Sequence, residues 1–123
     1  MSNENKLVLI PKVEDYMEYI INMIIKIPRT EKYSIGTEYK QSIYKMLEKV
    51  MILNKINEPR ECMVKLNKID SLLNCQRIYL RIMKKNQWID EKKFNIAMAK
   101  IYEIGKMIGG LQKYYAKNNT KYI

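Results

Sequence analysis

Residues 90–115 read DEKKFNIAMAKIYEIGKMIGGLQKYY, and this stretch decides the fold. Its apolar residues recur at alternating intervals of three and four, which is the spacing of one buried face of an α-helix. That face consists of Phe94, Ala97, Ile101, Ile104, Ile108, Leu111 and Tyr115. Asp90 is a residue type that caps helix N-termini, and Ile89 and Phe94 are placed as a hydrophobic staple. The stretch therefore predicts a long amphipathic helix over about residues 91–117.

Three segments further upstream show the same period. They predict helices over about residues 11–27, 31–56 and 59–86. Pro11 suits the first turn of the first of these helices, and Thr30 is a candidate N-cap of the second. Gln76 falls on the otherwise apolar stripe of the third, where it predicts a polar contact or a wet spot in the core. Gly36 interrupts the second helix at a cost of about 1 kcal/mol relative to Ala, so we expect a packing reason for it.

The connections between these helices are only a few residues long, so consecutive helices must be antiparallel neighbours. A chain of 123 residues is long enough for one domain with a real core. Four Gly and three Pro leave little material for the many turns of a β fold. The sequence therefore predicts one all-α domain over residues 1–123, an up-down-up-down antiparallel four-helix bundle.

Two of the predicted helices carry more apolar surface than one core needs. Ile21 and Ile25 lie off the main face of the first helix, and a second stripe on the second helix consists of Tyr44, Leu47 and Met51. Surplus apolar stripes of this kind indicate a subunit interface. The alternative is that these residues only shield a broad core.

The residue types argue against catalysis. The chain has no histidine, which excludes every mechanism that needs an imidazole base or ligand. The acidic residues lie mainly at predicted helix starts, where the helix dipole favours them, and no pattern of a di-metal carboxylate site is present. We therefore expect a protein that is not an enzyme, with no catalytic residue, no metal and no cofactor.

The cysteines, the N-terminal residues and the longest apolar stretch bear on the compartment. Cys62 and Cys75 lie 13 residues apart on one predicted helix, about 20 Å, which is beyond disulfide reach. They are expected to be free core thiols of an intracellular protein. The N-terminal residues resemble no signal peptide, and the longest apolar stretch, residues 20–27, is too short to span a bilayer. These features predict a cytoplasmic protein with no membrane partner.

Positive charge is the main functional signal in the sequence. The formal net charge is +10, of which residues 1–70 contribute +2 and residues 71–123 contribute +8. Such an excess favours polyanionic partners, with nucleic acid as the first candidate. The alternative is that lysine-rich, AT-biased coding raises the total without any binding role.

The predicted topology concentrates this charge. Arg77, Arg81, Lys84 and Lys85 share one flank of the third helix. Antiparallel order also gathers eight cations at one end of the bundle, here called the cationic end: Lys26, Arg29, Lys32, Arg81, Lys84, Lys85, Lys92 and Lys93. Such a surface would bind phosphate backbones without reading sequence. Cations also stabilise helix C-termini, which accounts for Lys84 and Lys85 but not for Lys32, Lys92 and Lys93.

Two segments carry a family resemblance: IPRTEKYSIG at residues 27–36 and YEIGKMIGG at residues 102–110. Over about residues 12–116 the chain resembles the four-helix-bundle superfamily that includes Avd, the accessory variability determinant of diversity-generating retroelements. That superfamily also includes proteins encoded in bacterial ribosomal-RNA intervening sequences. Leu111-Gln112 departs from the pattern, because Avd-like chains often have an aromatic residue there.

The resemblance implies a subunit of a homopentameric barrel with a basic surface. Such proteins bind nucleic acid and an error-prone reverse transcriptase, and they support mutagenic cDNA synthesis. The basic positions of the family correspond to Arg77 and Arg81, with Lys84 and Lys85 beside them, and Gly105 and Gly109 would permit close helix approach. The alternative function is a structural protein–protein interaction module of the intervening-sequence branch, without a reverse-transcriptase partner.

Overall fold

Four long helices and one single-turn helix make up the chain in a computed structural model that describes residues 2–120, with side chains for residues 6–118. The helices are α1 Ser2–Ile24, α2 Arg29–Lys32, α3 Ile35–Leu53, α4 Pro59–Lys85 and α5 Glu91–Thr120. No strand occurs within residues 2–120. The described part of the chain is therefore entirely α-helical, as the sequence predicts.

The four long helices form a closed ring of antiparallel neighbours. Helices α1 and α4 each pack mainly against α3 and α5. Lys12 pairs with Glu103 at 2.5 Å, and Asp15 pairs with Lys100 at 2.6 Å, so residue numbers fall along α5 as they rise along α1. The short connections make each consecutive pair of long helices antiparallel as well. The predicted four-helix bundle is confirmed.

Helix α1 begins at Ser2, about nine residues before the predicted start, and Pro11 lies inside it rather than in its first turn. Lys6 and Leu9 are buried and continue the apolar face toward the N-terminus at the same spacing. Proline leaves the carbonyl of the residue four positions earlier without its helical partner. That residue is Leu7, which is exposed, so water can satisfy its carbonyl.

The second predicted helix is divided in two. The helical turn α2 ends before Tyr33, and α3 begins after Ser34, whose backbone angles (φ −116°, ψ −92°) are not helical. Thr30, predicted as an N-cap, lies inside α2, where its hydroxyl donates to the Glu31 carboxylate at 3.3 Å. Helices α4 and α5 begin at residues 59 and 91, where the sequence places them.

A buried chain of hydrogen bonds crosses the core from α1 to α3 and α4. Gln76 is fully buried, accepts a hydrogen bond from the Tyr16 hydroxyl at 2.8 Å and donates to the Ser42 hydroxyl at 3.1 Å. Since Tyr16 donates to Gln76, the Tyr39 hydroxyl must donate to Tyr16, at 2.9 Å. Burial raises the pKa of Tyr16 and of Tyr39 above the ordinary value of 10.0, so both hydroxyls stay protonated. The polar contact expected at Gln76 is confirmed.

Three of the four helical glycines, Gly36, Gly105 and Gly109, differ in what surrounds them. A Cβ atom on Gly36 would lie 3.0 Å from Ile24 Cγ2 and 3.2 Å from the Glu31 carbonyl oxygen, which is the packing reason for a glycine there. A Cβ atom on Gly105 would lie 2.9 Å from Nη2 of Arg77. A Cβ atom on Gly109 would meet no described atom within 4 Å apart from the adjacent backbone of α5, so no other described helix packs closely there.

These surroundings predict opposite effects for the same substitution at two glycines. Gly36→Ala is expected to lower the free energy of unfolding by about 1 kcal/mol, because overpacking against Ile24 outweighs the gain in helix propensity. Gly109→Ala has open space and is expected to raise it by about 1 kcal/mol. Urea unfolding at one protein concentration measures both changes. Equal effects of the two substitutions would contradict the packing at Gly36.

Candidate nucleic-acid interface

The antiparallel order brings four helix ends and one single-turn helix to one end of the bundle. They are the C-termini of α1 and α4, the single turn α2, and the N-termini of α3 and α5. The structure places Lys26 and Lys93 in the lining of one pocket between α1 and α5. It also places Lys84 of α4 beside Glu91 of α5. The cationic end is thus assembled from segments that are distant in the sequence.

Most of its cations have no acidic partner. Lys84 is the one member of the cationic end that forms an ion pair with a described residue, to Glu91 Oε1 at 3.7 Å. The other seven make no salt bridge within residues 6–118. Arg29, Arg81, Lys85 and Lys92 are also exposed to solvent. This surface can therefore contact a polyanion without first breaking ion pairs.

The three nearby acids are engaged in local structure. Asp90 Oδ1 accepts the backbone N–H of Lys93 at 2.8 Å, which caps α5 as the sequence predicts. The Glu31 carboxylate accepts hydrogen bonds from the hydroxyls of Thr30 and Ser34, the latter at 3.1 Å. Eight cations against Glu31, Asp90 and Glu91 leave a formal net charge of +5 at this end.

Lys84 differs from the rest of the cationic end. Its ammonium lies 5.3 Å from the centroid of the Phe94 ring as well as near Glu91. It also lies in the last turn of α4, where a cation is favoured by the helix dipole. These contacts connect α4 to α5, so Lys84 contributes to stability in addition to charge.

Arg77 lies away from the cationic end. It precedes Lys85 by eight residues, about 12 Å along α4. Its half-buried guanidinium donates to Asn74 Oδ1 and occupies the space beside Gly105 of α5. The family resemblance implies close helix approach at Gly105, and the structure places the Arg77 guanidinium where a side chain at this position would begin.

The residues predicted to form a subunit interface are only partly exposed. Ile25, Tyr44 and Met51 are about half exposed, whereas Ile21 and Leu47 are half-buried. The structure adds further exposed apolar residues that the sequence reasoning missed: Ile52, Val64, Ile78 and Ile82. Val64, Ile78 and Ile82 lie on the outer side of α4, and Ile52 lies near the end of α3. The stronger core pattern beside them hid their signal in the sequence.

The described residues also bear on the expectations for the cysteines, for metal binding and for membrane-spanning helices. Both cysteines are free and Cys62 is buried, but Cys75 is exposed, so the expectation of a core thiol was wrong for Cys75. Within residues 6–118, no group of three or more Cys, Asp or Glu side chains could hold a metal ion. In the described part of the chain, the helices are too short or too polar to cross a membrane.

Comparison with known proteins gives one result. A family model described as bAvd-like matches residues 7–115. No curated protein and no solved structure matches the chain. The match covers all four long helices in large part and agrees with the resemblance carried by residues 27–36 and 102–110. The chain therefore belongs to the bAvd-like family.

Proposed function

We propose that this protein is a non-enzymatic accessory protein of a diversity-generating retroelement. In this role it binds nucleic acid through the cationic end and supports mutagenic cDNA synthesis by a reverse transcriptase. Membership of an Avd-like family supports the accessory role, since that is a family of accessory proteins and not a known enzyme family. The absence of histidine agrees with a role outside catalysis.

One observation supports nucleic acid as the partner of this surface: seven of its eight cations have no carboxylate partner in the described structure. Each phosphate that they contact would release condensed counterions, so binding would weaken steeply as salt increases. Lys92 and Lys93 lie in the first turn of α5, where the helix dipole does not favour a cation. A stabilising role alone therefore does not account for them.

A salt titration of binding tests this proposal. If about five phosphates are contacted, the affinity for duplex DNA should fall roughly 500-fold between 50 mM and 200 mM salt. We expect RNA and DNA of unrelated sequences to bind with similar affinities, because contacts to phosphate carry no sequence information. Fluorescence anisotropy with labelled 20-nucleotide probes measures this. Absence of binding at 50 mM salt would contradict the proposal.

We further propose that the subunit assembles into a homopentamer and contacts the reverse transcriptase through apolar side chains. Ile25, Tyr44 and Met51 support a protein contact because each exposes about half of a large apolar side chain. Native mass spectrometry of the purified chain tests the assembly, and co-purification with the reverse transcriptase tests the partner.

The second candidate function is an interaction module without a reverse transcriptase. An apolar depression of about 390 Å³ between α3 and α4, bordered by Ile52, Ile56 and Val64, favours protein contacts away from the cationic end. This candidate predicts complex formation with no binding of nucleic acid. The salt titration above therefore separates the two functions.

A further inference from the structure

A small pocket lies between α1 and α5 within the cationic end. It has a volume of about 90 Å³ and is lined by Tyr19, Asn22 and Met23 of α1, by Lys26 just after α1, and by Lys93 of α5. Ligand pockets for drug-sized molecules usually measure about 300–1,000 Å³, so this one is too small for a nucleoside. Its size suits one tetrahedral oxyanion.

The polar groups that line this pocket are available to a ligand. The side chains of Tyr19, Asn22, Lys26 and Lys93 form no hydrogen bond or ion pair with any other described residue. The two ammonium groups and the amide of Asn22 are hydrogen-bond donors. Burial, and then the charge of Asp90, raise the pKa of Tyr19 above 10.0, so its hydroxyl is also a donor at neutral pH.

The charges around the pocket favour an anion. Among the described residues no carboxylate lines it, and the nearby Asp90 already accepts the backbone N–H of Lys93. Lys100 adds a third cation near the pocket, 5.5 Å from the centroid of the Tyr19 ring, although it is paired with Asp15. Lys93 lies in the first turn of α5, where the helix dipole disfavours a lysine and favours an anion.

We infer that this pocket binds a single phosphate group of the nucleic acid, held by Lys26 and Lys93 with Tyr19 and Asn22 as further donors. The inference rests on the proposed function and refines it. The rest of the cationic end attracts the backbone over a broad surface, whereas the pocket fixes one phosphate in place. That phosphate is either a backbone phosphodiester or a terminal 5′-phosphate.

The first test uses inorganic phosphate and the full chain. The side-chain amide signals of Asn22 in ¹H–¹⁵N spectra should shift and saturate as phosphate is added. Lys26→Gln/Lys93→Gln should weaken this binding at least tenfold. The matched control, Lys85→Gln/Lys92→Gln, removes the same charge from the same end outside the pocket and should retain the shift. Equal weakening by the two pairs would overturn the inference.

A substitution that leaves the charge unchanged gives a second test. Tyr19→Phe removes one donor and should weaken phosphate binding about ten- to hundredfold, the usual effect of one hydrogen bond to a charged group. The fold is checked by the dispersion of the remaining spectrum. Unchanged affinity in a folded Tyr19→Phe protein would remove Tyr19 from the site.

Oligonucleotides with a 5′-phosphate or a 5′-hydroxyl distinguish the two sources. If both shift Asn22, the pocket takes a backbone phosphodiester; if only the phosphorylated one does, it takes the terminal group. Oligonucleotide binding that leaves Asn22 unshifted would overturn the pocket assignment while the proposed function stands. If no oligonucleotide binds the wild-type chain at 50 mM salt, the proposed function and the inference both fail.

Discussion

Reversing three exposed cations, in Arg81→Glu/Lys85→Glu/Lys92→Glu, is expected to weaken nucleic-acid binding by roughly 500-fold or more at 0.1 M salt. Each lost phosphate contact removes nearly one decade of affinity at that salt concentration, and the reversed charges add repulsion. None of the three forms an ion pair in the described structure, so the fold should be retained. Fluorescence anisotropy measures the affinity, and circular dichroism checks the helix content.

A matched variant controls for the change in total charge. Lys55→Glu/Arg60→Glu/Lys113→Glu alters the net charge equally, through exposed residues toward the opposite end of the bundle. Helix α4 has 27 residues, so its two ends are about 40 Å apart, several Debye lengths at physiological salt. We expect less than about a tenfold loss of affinity. Equal losses in the two variants would mean that binding follows net charge and not the cationic end.

Gln76→Ala is expected to lower the free energy of unfolding by about 3–4 kcal/mol. The substitution leaves a cavity in the core and removes the acceptor of the Tyr16 hydroxyl and the donor to Ser42. Gln76→Met is the control, because it retains most of the volume and loses only the hydrogen bonds; it should cost about 1–2 kcal/mol. Urea unfolding followed by circular dichroism measures both values.

A loss below about 1 kcal/mol in Gln76→Ala would contradict the role of this residue as the centre of the core network. If Gln76→Met were as destabilising as Gln76→Ala, the hydrogen bonds of Gln76 would contribute more to stability than its packing.

The sequence predicted the core well because its signal is periodic. The apolar face from Ala97 to Tyr115 is buried at each position that the alternating spacing selects. Gln76 was predicted as a polar contact because it interrupts such a face. The spacing could not predict the partners of Gln76, because Tyr16 and Ser42 reach it from two other helices.

Helix boundaries were harder to predict, because local rules compete with packing there. Pro11 usually marks a helix start, but burial of Lys6 and Leu9 extends α1 past it. Lys6 is itself unexpected in a core. Its ammonium donates to the Ile56 carbonyl at 2.7 Å and lies 5.6 Å from the centroid of the Tyr115 ring, so contacts from two other segments stabilise it.

The candidate site was predictable as a set of charges but not as a shape. Antiparallel order alone places Lys26 and Lys93 at the same end, because that follows from topology. That they line a common pocket with Tyr19 depends on the rotation of α1 against α5, which no residue spacing specifies. The same limit applies to Arg77, whose position beside Gly105 depends on how α4 and α5 face each other.

Lysine footprinting most directly tests the claim that nucleic acid binds at the cationic end, because it identifies which end of the bundle nucleic acid covers. The full chain is acetylated briefly with and without a saturating 20-nucleotide RNA at 50 mM salt, and modified positions are quantified by mass spectrometry. The account predicts protection of Lys26, Lys32, Lys85, Lys92 and Lys93, with Lys55 and Lys113 remaining reactive. If Lys55 and Lys113 were protected while Lys85 and Lys92 stayed reactive, nucleic acid would not bind at the cationic end.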